Sequence, residues 1–199
     1  MSHWSRAPVL DGRHVRLEPL QAAHVDGLAR AAADGELWAR WYTSVPRPEA
    51  MRAYVDAALS PQAVATMLPF VVRDAGGDIV GTTRYYDTDP ATPRLQIGYT
   101  WYAARVQRTG INTEAKWLLL AHAFETLNCI AVGFQTSWFN QASRAAIARL
   151  GAKQDGVIRN HLRHADGSIR DTVTFSIIDS EWPAVKTHLR SKLEQYDHG

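Results

Sequence analysis

A polar, glycine-containing turn at 105–112 separates a predicted strand, 94–102, from a predicted helix, 113–127. Apolar residues recur along 113–127 at helical spacing, and a further β-rich segment follows at 130–138. A helix that connects two consecutive strands in this way brings them side by side in parallel. Ligands commonly bind at the carboxyl ends of such strands, so the turn is both a constraint on the fold and a candidate site.

The remaining pattern alternates short strands with helices and predicts the order β-α-α-β-β-β-α-β-α-β-β-α. Two glycine-bearing hairpins are indicated, one around 74–77 and one around 166–167. A mostly antiparallel sheet of about seven strands flanked by helices is an α+β fold. The other predicted strands are 15–20, 67–73, 78–87, 157–163 and 169–178, and the other helices lie within 21–59, at 142–150 and after 180.

Composition predicts an ordinary globular protein with a single domain over 1–199. The 199 residues are 46% hydrophobic and 21% charged, with a net charge of +2 spread along the chain, so no nucleic-acid partner is indicated. No stretch is long and apolar enough for a membrane span, and the first residues lack a signal-peptide core, which predicts a cytoplasmic location. The single cysteine, Cys129, lies in an apolar stretch and offers no metal-ligand cluster, so we expect a buried structural thiol and no metal.

The turn at 105–112 has the chemistry of an anion site. The first N–H groups of a helix lack intrahelical acceptors, and the helix dipole makes that end partly positive. Gly110 lets an anion approach the main chain, and Arg105 and Arg108 add positive charge. These features suit a phosphate or pyrophosphate, although one glycine is also found in ordinary loops. Neither a P-loop nor a dinucleotide-binding Gly-x-Gly-x-x-Gly is present.

The same turn resembles the Q/R-x-x-G-x-G/A signature with which GNAT acyltransferases bind acetyl-CoA. The six positions are Gln107, Arg108, Thr109, Gly110, Ile111 and Asn112. Asn112 departs from the usual glycine or alanine, and its side chain would cap the helix or reach the phosphate. Segments 97–99, 113–115 and 140–144 further resemble the Rim-type subfamily, which includes ribosomal-protein N-terminal acetyltransferases. The element order matches from about residue 13 to 178.

The resemblance implies a three-layer fold whose sheet is splayed between the fourth and fifth predicted strands. It also implies that backbone N–H groups of the turn hold the pyrophosphate of acetyl-CoA. The strand end at Thr100, Trp101 and Tyr102 would pair with the pantetheine amides, and an N–H near Trp101 would polarise the thioester carbonyl. Asn140 would hydrogen-bond the pantetheine arm. The implied activity is direct attack of a primary amine, from a protein N-terminus or a small molecule, on acetyl-CoA.

Two proton transfers accompany this reaction. Many relatives protonate the leaving thiolate with a tyrosine seven residues after the asparagine, but that position is Ile147 here. Ser143 is the available hydroxyl, either as general acid or as a helix-capping residue. For the base, the family glutamate is absent, which leaves His161, Asp87 or a water chain.

The acceptor pocket is expected around Trp38, Trp41 and Tyr42, with Arg84 and Tyr86 nearby. Aromatic side chains with one arginine would hold an amino-acid or peptide-like acceptor that carries a carboxylate, unless the tryptophans simply pack the first helices on the sheet. Two alternatives remain open: a catalytically weak acyl-CoA-binding sensor, or a different donor such as succinyl-CoA. Family resemblance also favours a homodimer, with the C-terminal helix packing on its own sheet or on a second subunit.

Overall fold

The computed structural model describes residues 3–60, 66–164 and 166–197, and within them one mixed sheet of eight strands is flanked by five helices. The predicted α+β class and element order are confirmed. The strands are β1 (Leu10–Asp11), β2 (Val15–Pro19), β3 (Leu68–Asp74), β4 (Ile79–Asp89), β5 (Arg94–Tyr102), β6 (Ala131–Ser137), β7 (Lys153–Arg163) and β8 (Ile169–Ile178). The helices are α1 (Val25–Ala33), α2 (Met51–Leu59), α3 (Gly110–Ala121), α4 (Gln141–Arg149) and α5 (Trp182–Asp197).

The strands lie in the order β1-β2-β3-β4-β5-β6-β8-β7. All neighbouring strands are antiparallel except β5 and β6, which are parallel. A parallel pair needs a long crossover connection, and α3 supplies it, as the sequence predicts.

The sheet opens between β5 and β6. These two strands are paired only at Arg94–Ala131, Leu95–Val132 and Gln96–Gly133. Further along, β5 remains paired with β4 and β6 with β8, so the two halves of the sheet diverge. The edge of β5 that faces β6 therefore has no strand partner from 97 to 102 in the described chain, and the splay predicted at this place is confirmed.

Each face of the sheet buries its own hydrophobic cluster. On β3, Phe70 and Val72 belong to a cluster that includes Leu119 of α3 and Leu189 of α5. The intervening Val71 belongs to a cluster formed with α1 and α2. This alternation is that of a strand buried on both faces, and it produces three layers with the sheet in the middle. Because Leu189 is fully buried, the C-terminal helix packs on its own sheet.

The structure differs from the predicted boundaries in several places, of which three concern the site and the sheet. A two-residue strand, β1, pairs with β2 and brings the number of strands to eight. Helix α3 begins at Gly110 and not at 113, because Thr109 caps it. Strand β7 begins at Lys153 and not at 157, because it pairs with β8 from Ser176 onward. In the part of the chain that the structure describes, no helix is long and apolar enough to cross a membrane.

Candidate active site

The turn before α3 presents free backbone donors. Thr109 is the N-cap residue, and its Oγ1 accepts from the N–H of Ile111 at 3.4 Å and donates to the carbonyl of Val106 at 2.7 Å. Arg108 has a φ of 64°, which turns the chain sharply just before the helix. The first four N–H groups of a helix lack intrahelical acceptors, so those of 109–112 point out of the helix end, with only that of Ile111 capped. This arrangement fits an anion such as a pyrophosphate.

Gly110 lies against His14 and does not have a positive φ. A Cβ at this position would lie 3.3 Å from the Cδ2 atom of His14, tighter than most side-chain contacts. Because glycine adds no side chain, a ligand can approach the main chain at the start of α3 closely.

Two predicted contributors to the turn have other roles. The guanidinium of Arg105 lies 3.4 Å from a carboxylate oxygen of Asp74 and of Asp78, so much of its charge is compensated within the chain. Its predicted role beside the anion is therefore weakened. Arg108 is exposed and remains a candidate. Asn112 is not the cap of α3, because Thr109 is; its side chain is half-buried at the third helical position.

The unpaired edge of β5 leads directly to this turn. Trp101 and Tyr102 are 7% and 9% exposed, and they point into the clusters on opposite faces of the sheet. Their side chains are thus occupied by the core, and the strand offers its backbone to a ligand. Gln107 fixes the connection, because its Nε2 donates to the carbonyl of Tyr102 at 2.9 Å.

A buried lysine that was not among the predicted site residues donates a hydrogen bond to Thr100. Lys116 on α3 is 6% exposed, and its Nζ donates to Oγ1 of Thr100 at 2.7 Å and of Thr83 at 3.2 Å. Burial lowers the pKa of Lys116 to about 7. The available signal was its spacing, since a residue three positions before Leu119 falls on the buried side of the helix.

Asn140 and Ser143 are brought together at the start of α4. The Oδ1 of Asn140 accepts from the backbone N–H of Ser143 at 3.0 Å, which makes Asn140 the N-cap residue. Its amide NH₂ group remains available as a donor. The Ser143 hydroxyl has no partner in the described chain and is half-buried, so it can serve a ligand. Ile147 is 8% exposed within the core cluster and provides no proton donor.

The two candidate bases lie on strands in different halves of the divided sheet. His161 is exposed on β7, which is an edge strand. Asp87 is exposed on β4, and its carboxylate accepts from Nε2 of Gln96 at 3.1 Å. Neither has the buried surroundings that would mark a dedicated base, and both stay predictions.

The aromatic residues predicted to form the acceptor pocket lie in the loop between α1 and α2. Trp41 is 46% exposed, and its ring centroid lies 5.2 Å from that of Phe139 and 5.0 Å from that of His164. Trp38, half-buried, lies under the guanidinium of Arg47. Neither tryptophan belongs to a core cluster, so the alternative that they pack α1 and α2 on the sheet is wrong for Trp41.

An open depression of about 450 Å³ lies beside Trp41 and is lined also by Phe139 and by the β7–β8 hairpin. Tyr42 adds an edge-on ring contact to Trp41 at 5.6 Å. Phe139 and His164 were not among the predicted pocket residues, because the hairpin and the loop before α4 meet Trp41 only in the folded chain. The acceptor pocket expected around Trp41 stays a prediction.

Arg84 and Tyr86 form a second group, which no ring or cation–π contact among the described residues joins to Trp41. Arg84 is 4% exposed and lies between the rings of Tyr54 and Tyr99. Tyr86 packs edge-on against Tyr99 and donates to Oε1 of Gln96 at 3.0 Å. Burial, reinforced by the nearby Asp87 carboxylate, raises the pKa of Tyr86, so this phenol stays neutral.

Comparison with known proteins identifies the family. The family model described as "Acetyltransferase (GNAT) domain" matches residues 14–153. This match covers more than half of the chain and includes the turn before α3, the open edge of β5, Asn140 and Ser143. The chain belongs to the GNAT acetyltransferase family and is therefore an acyltransferase.

Individual relatives agree with this assignment. The Bacillus subtilis (strain 168) protein described as "Putative ribosomal N-acetyltransferase YdaF" is 31% identical over 110 residues, which are 55% of this chain and 59% of that relative. A GCN5-related N-acetyltransferase from Brucella melitensis is 30% identical with a TM-score of 0.83, covering 94% of this chain and 85% of that one. Mycobacterium smegmatis RimJ, solved in complex with a CoA disulfide, shares the fold with a TM-score of 0.75 at 24% identity, covering 94% and 93% of the two chains.

Proposed function

We propose that this protein, as one domain over 1–199, transfers the acetyl group of acetyl-CoA to a primary amine of a protein N-terminus or a small molecule. The observation that carries the proposal is the continuity between the unpaired edge of β5 and the free N–H groups at the start of α3. An elongated ligand with amide groups at one end and a pyrophosphate at the other matches this sequence of donors and acceptors. The CoA disulfide bound by the RimJ structure of the same fold supports this choice of ligand.

Backbone groups and Asn140 bind the parts of acetyl-CoA in this proposal. The uncapped N–H groups within 108–112 bind the pyrophosphate, since the N–H of Gln107 already donates to the carbonyl of Ala104 at 3.1 Å, and the backbone of 100–102 aligns the pantetheine arm. Asn140 donates its amide NH₂ to that arm while its Oδ1 caps α4. A backbone N–H near Trp101 polarises the thioester carbonyl, whose carbon is the electrophile that acetyl-CoA supplies.

The proton chemistry needs little from the protein. The pKa of an α-amino group is about 8, so a useful fraction of the amine is neutral at physiological pH and attacks without a strong base. His161, Asp87 or water then removes the proton from the positively charged nitrogen of the tetrahedral intermediate, which collapses to the amide and the CoA thiolate. Ser143 is the donor toward the leaving thiolate, since it has the free hydroxyl next to the asparagine.

The acceptor binds against Trp41, with Trp38, Tyr42, Arg84 and Tyr86 shaping the approach. The description of YdaF as a ribosomal N-acetyltransferase supports a protein N-terminus as one acceptor class. A homodimer, a cytoplasmic location and the absence of a nucleic-acid partner remain predictions of the same proposal.

The test is release of CoA thiol from acetyl-CoA over a panel of amines and N-terminal peptides, with succinyl-CoA as a second donor. Cys129 adds no background in the folded protein, because it is 2% exposed and burial raises its pKa to about 12. We expect acetyl-CoA to raise the melting temperature and at least one amine to release thiol. Ser143→Ala is the informative variant, because it keeps the backbone N–H that Asn140 caps.

The outcomes separate the proposal from its alternatives. Stabilisation by acetyl-CoA without thiol release from any amine would instead indicate an acyl-CoA-binding sensor. Faster transfer from succinyl-CoA would correct the donor. A Ser143→Ala variant with parental kcat would remove this serine from the role of general acid, and no stabilisation by either acyl-CoA would refute the proposal as a whole.

A further inference from the structure

The guanidinium group of Arg84 is buried without a counter-ion. It lies between two phenol rings, with its Cζ atom 4.6 Å from the ring centroid of Tyr54 and 4.5 Å from that of Tyr99. No Asp or Glu side chain in the described chain forms an ion pair with it. The residues outside the described ranges, 1–2, 61–65, 165 and 198–199, include no acidic side chain either. A buried charge is ordinarily paired, so this arginine lacks the partner that its burial demands.

The unused hydrogen-bond donors of Arg84 lie on one edge of the guanidinium group. Its Nη1 donates to Sδ of Met67 at 3.3 Å, whereas Nε and Nη2 are buried and have no partner in the described chain. The N–H bonds of Nε and Nη2 are parallel and form the fork that matches the two oxygens of a carboxylate. Unsatisfied buried donors of this kind are rare in native proteins, and a ligand is one of the few explanations for them.

A second arginine also has an unused buried donor. Arg170 on β8 is half-buried, and its Nε is also buried without a partner in the described chain. Burial lowers the pKa of Arg170, while the electrostatic interaction with Tyr86 and Tyr99 raises it. Arg84 on β4 and Arg170 on β8 thus each have an unused donor, and their strands lie on opposite sides of the place where the sheet divides.

The position of this group relates it to the acceptor. Tyr86 donates to Gln96, the last residue of β5 that pairs with β6, so the tyrosines lie at the point where the sheet divides. Tyr99 precedes Thr100 in the unpaired edge of β5, and its side chain is 43% exposed. An amine that reaches the thioester beside this edge would pass Tyr99 and bring its own substituents to Arg84, which lies against that ring.

We propose that Arg84 and Arg170 bind a carboxylate of the acceptor, so that the enzyme selects primary amines with a carboxylate a few bonds from the nitrogen. This inference rests on the proposed function and specifies its acceptor class. The carboxylate belongs either to a free amino acid or to an acidic side chain next to a peptide N-terminus. Arg84 provides the bidentate contact, and Arg170 adds a second charge across the opening.

The experiment compares matched acceptors in two arms. One arm uses peptide amides that differ only in Asp or Asn at the second position, whose terminal amines are otherwise alike. The other arm compares alanine with alaninamide at equal concentrations of neutral amine. We expect a preference for the acidic member of about 10- to 100-fold in kcat/KM in at least one arm, because a site built to bind a polar group rejects the analogue that lacks it.

Variants connect this preference to the two arginines. Arg84→Met should reduce the ratio of kcat/KM for the acid to that for the amide to about one, mainly through a higher KM for the acidic acceptor. Arg84→Lys keeps the charge but not the bidentate geometry, so it should give an intermediate ratio. Arg170→Gln should reduce it partially, and it carries the test if the Arg84 variants do not fold. Arg190→Gln, an exposed arginine on α5, is the matched control and should keep the parental ratio. Stabilisation by acetyl-CoA confirms that each variant is folded.

The results also distinguish this inference from the proposed function. Equal use of both members in both arms, or an unchanged ratio in Arg84→Met and Arg170→Gln, would overturn the carboxylate site while leaving the acetyltransferase activity intact. If no amine releases thiol, the proposed function fails, and calorimetric titration of the CoA-saturated protein with the same pairs decides the carboxylate site alone. Equal affinity for the acid and the amide in that titration would also overturn it.

Discussion

Lys116 donates a hydrogen bond to Thr100, with 2.7 Å between Nζ and Oγ1, so a buried amine lies directly behind the unpaired edge of β5. The same nitrogen also contacts Thr83 on β4, and the two threonine hydroxyls are 2.8 Å apart. These bonds attach α3, which carries the predicted pyrophosphate turn, to the strand predicted to bind pantetheine.

The burial of Lys116 has a consequence for stability. Its pKa is about 7 in the folded protein, against 10.5 for an unperturbed lysine, so the unfolded chain binds more protons between these values. Because of this group, the free energy of unfolding should rise as the pH increases from about 7 to about 10.5. Below about pH 7 the contribution of Lys116 to stability should be unfavourable and independent of pH. Lys116→Met should remove this dependence and stabilise the protein at pH 7 by about 1–3 kcal/mol, after loss of the two hydrogen bonds.

Urea denaturation of both proteins at several pH values between 6 and 10 measures this effect. Lys192→Met on α5 replaces a lysine that is only half-buried and is the matched control. A Lys116→Met protein that is less stable than the parent at pH 7, with the same pH slope, would show that the lysine contributes more by bonding than it costs by desolvation.

Much of the fold was accessible from the sequence because it is encoded locally. The apolar stripe of α3, the glycine-bearing hairpins and the strand on either side of the crossover all follow from short patterns. The start of α3 was misplaced because the cap, Thr109, was counted as part of the turn, although a threonine before a helix is a capping signal. Likewise β1 was missed, since two residues carry no periodicity.

Only the part of the candidate site that is formed by backbone groups and Asn140 could be predicted from the sequence. A turn at a helix start and an asparagine after a strand can be recognised from short sequence patterns. In contrast, the sandwich of Arg84 between Tyr54 and Tyr99 joins α2, β4 and β5, and no spacing along the chain reports it. The same holds for Lys116, whose partners lie on two strands.

Glu114 anchors the start of α3 to the N-terminal strands. Its carboxylate accepts from the backbone N–H groups of Arg13, His14 and Val15 at 2.9, 2.6 and 2.9 Å. Glu114→Gln keeps the size but turns one acceptor into a donor that faces these N–H groups, so we expect a loss of about 2–3 kcal/mol in the free energy of unfolding. Because His14 lies against Gly110, KM for acetyl-CoA should also rise. Denaturation measures the change in stability and steady-state kinetics measures KM for acetyl-CoA, with the exposed Glu194→Gln as the control. An unchanged KM would show that Glu114 stabilises the fold without affecting acetyl-CoA binding.

Trp41 should affect the acceptor more than the fold. It is nearly half exposed, and its ring contacts with Phe139 and His164 join the α1–α2 loop to the other half of the sheet. Trp41→Ala should cost about 1–2 kcal/mol of stability and raise KM for the acceptor about tenfold, while KM for acetyl-CoA stays near the parental value. Trp41→Phe, which keeps a ring, should recover most of the loss. Equal increases in both KM values would place Trp41 outside the acceptor pocket.

Gly110 tests the anion site with little disturbance of the fold. An alanine at the first position of α3 suits helical backbone, and its Cβ needs only a small shift of the His14 ring, from 3.3 Å. We therefore expect Gly110→Ala to change the free energy of unfolding by less than about 1 kcal/mol. The added methyl group would hold the pyrophosphate away from the N–H groups of 109–112, and KM for acetyl-CoA should rise about tenfold with little change in KM for the acceptor. Gly156→Ala on β7, where a Cβ would meet no atom within 4 Å, is the control. If Gly110→Ala binds acetyl-CoA as tightly as the parent in calorimetry, the pyrophosphate does not lie at the start of α3.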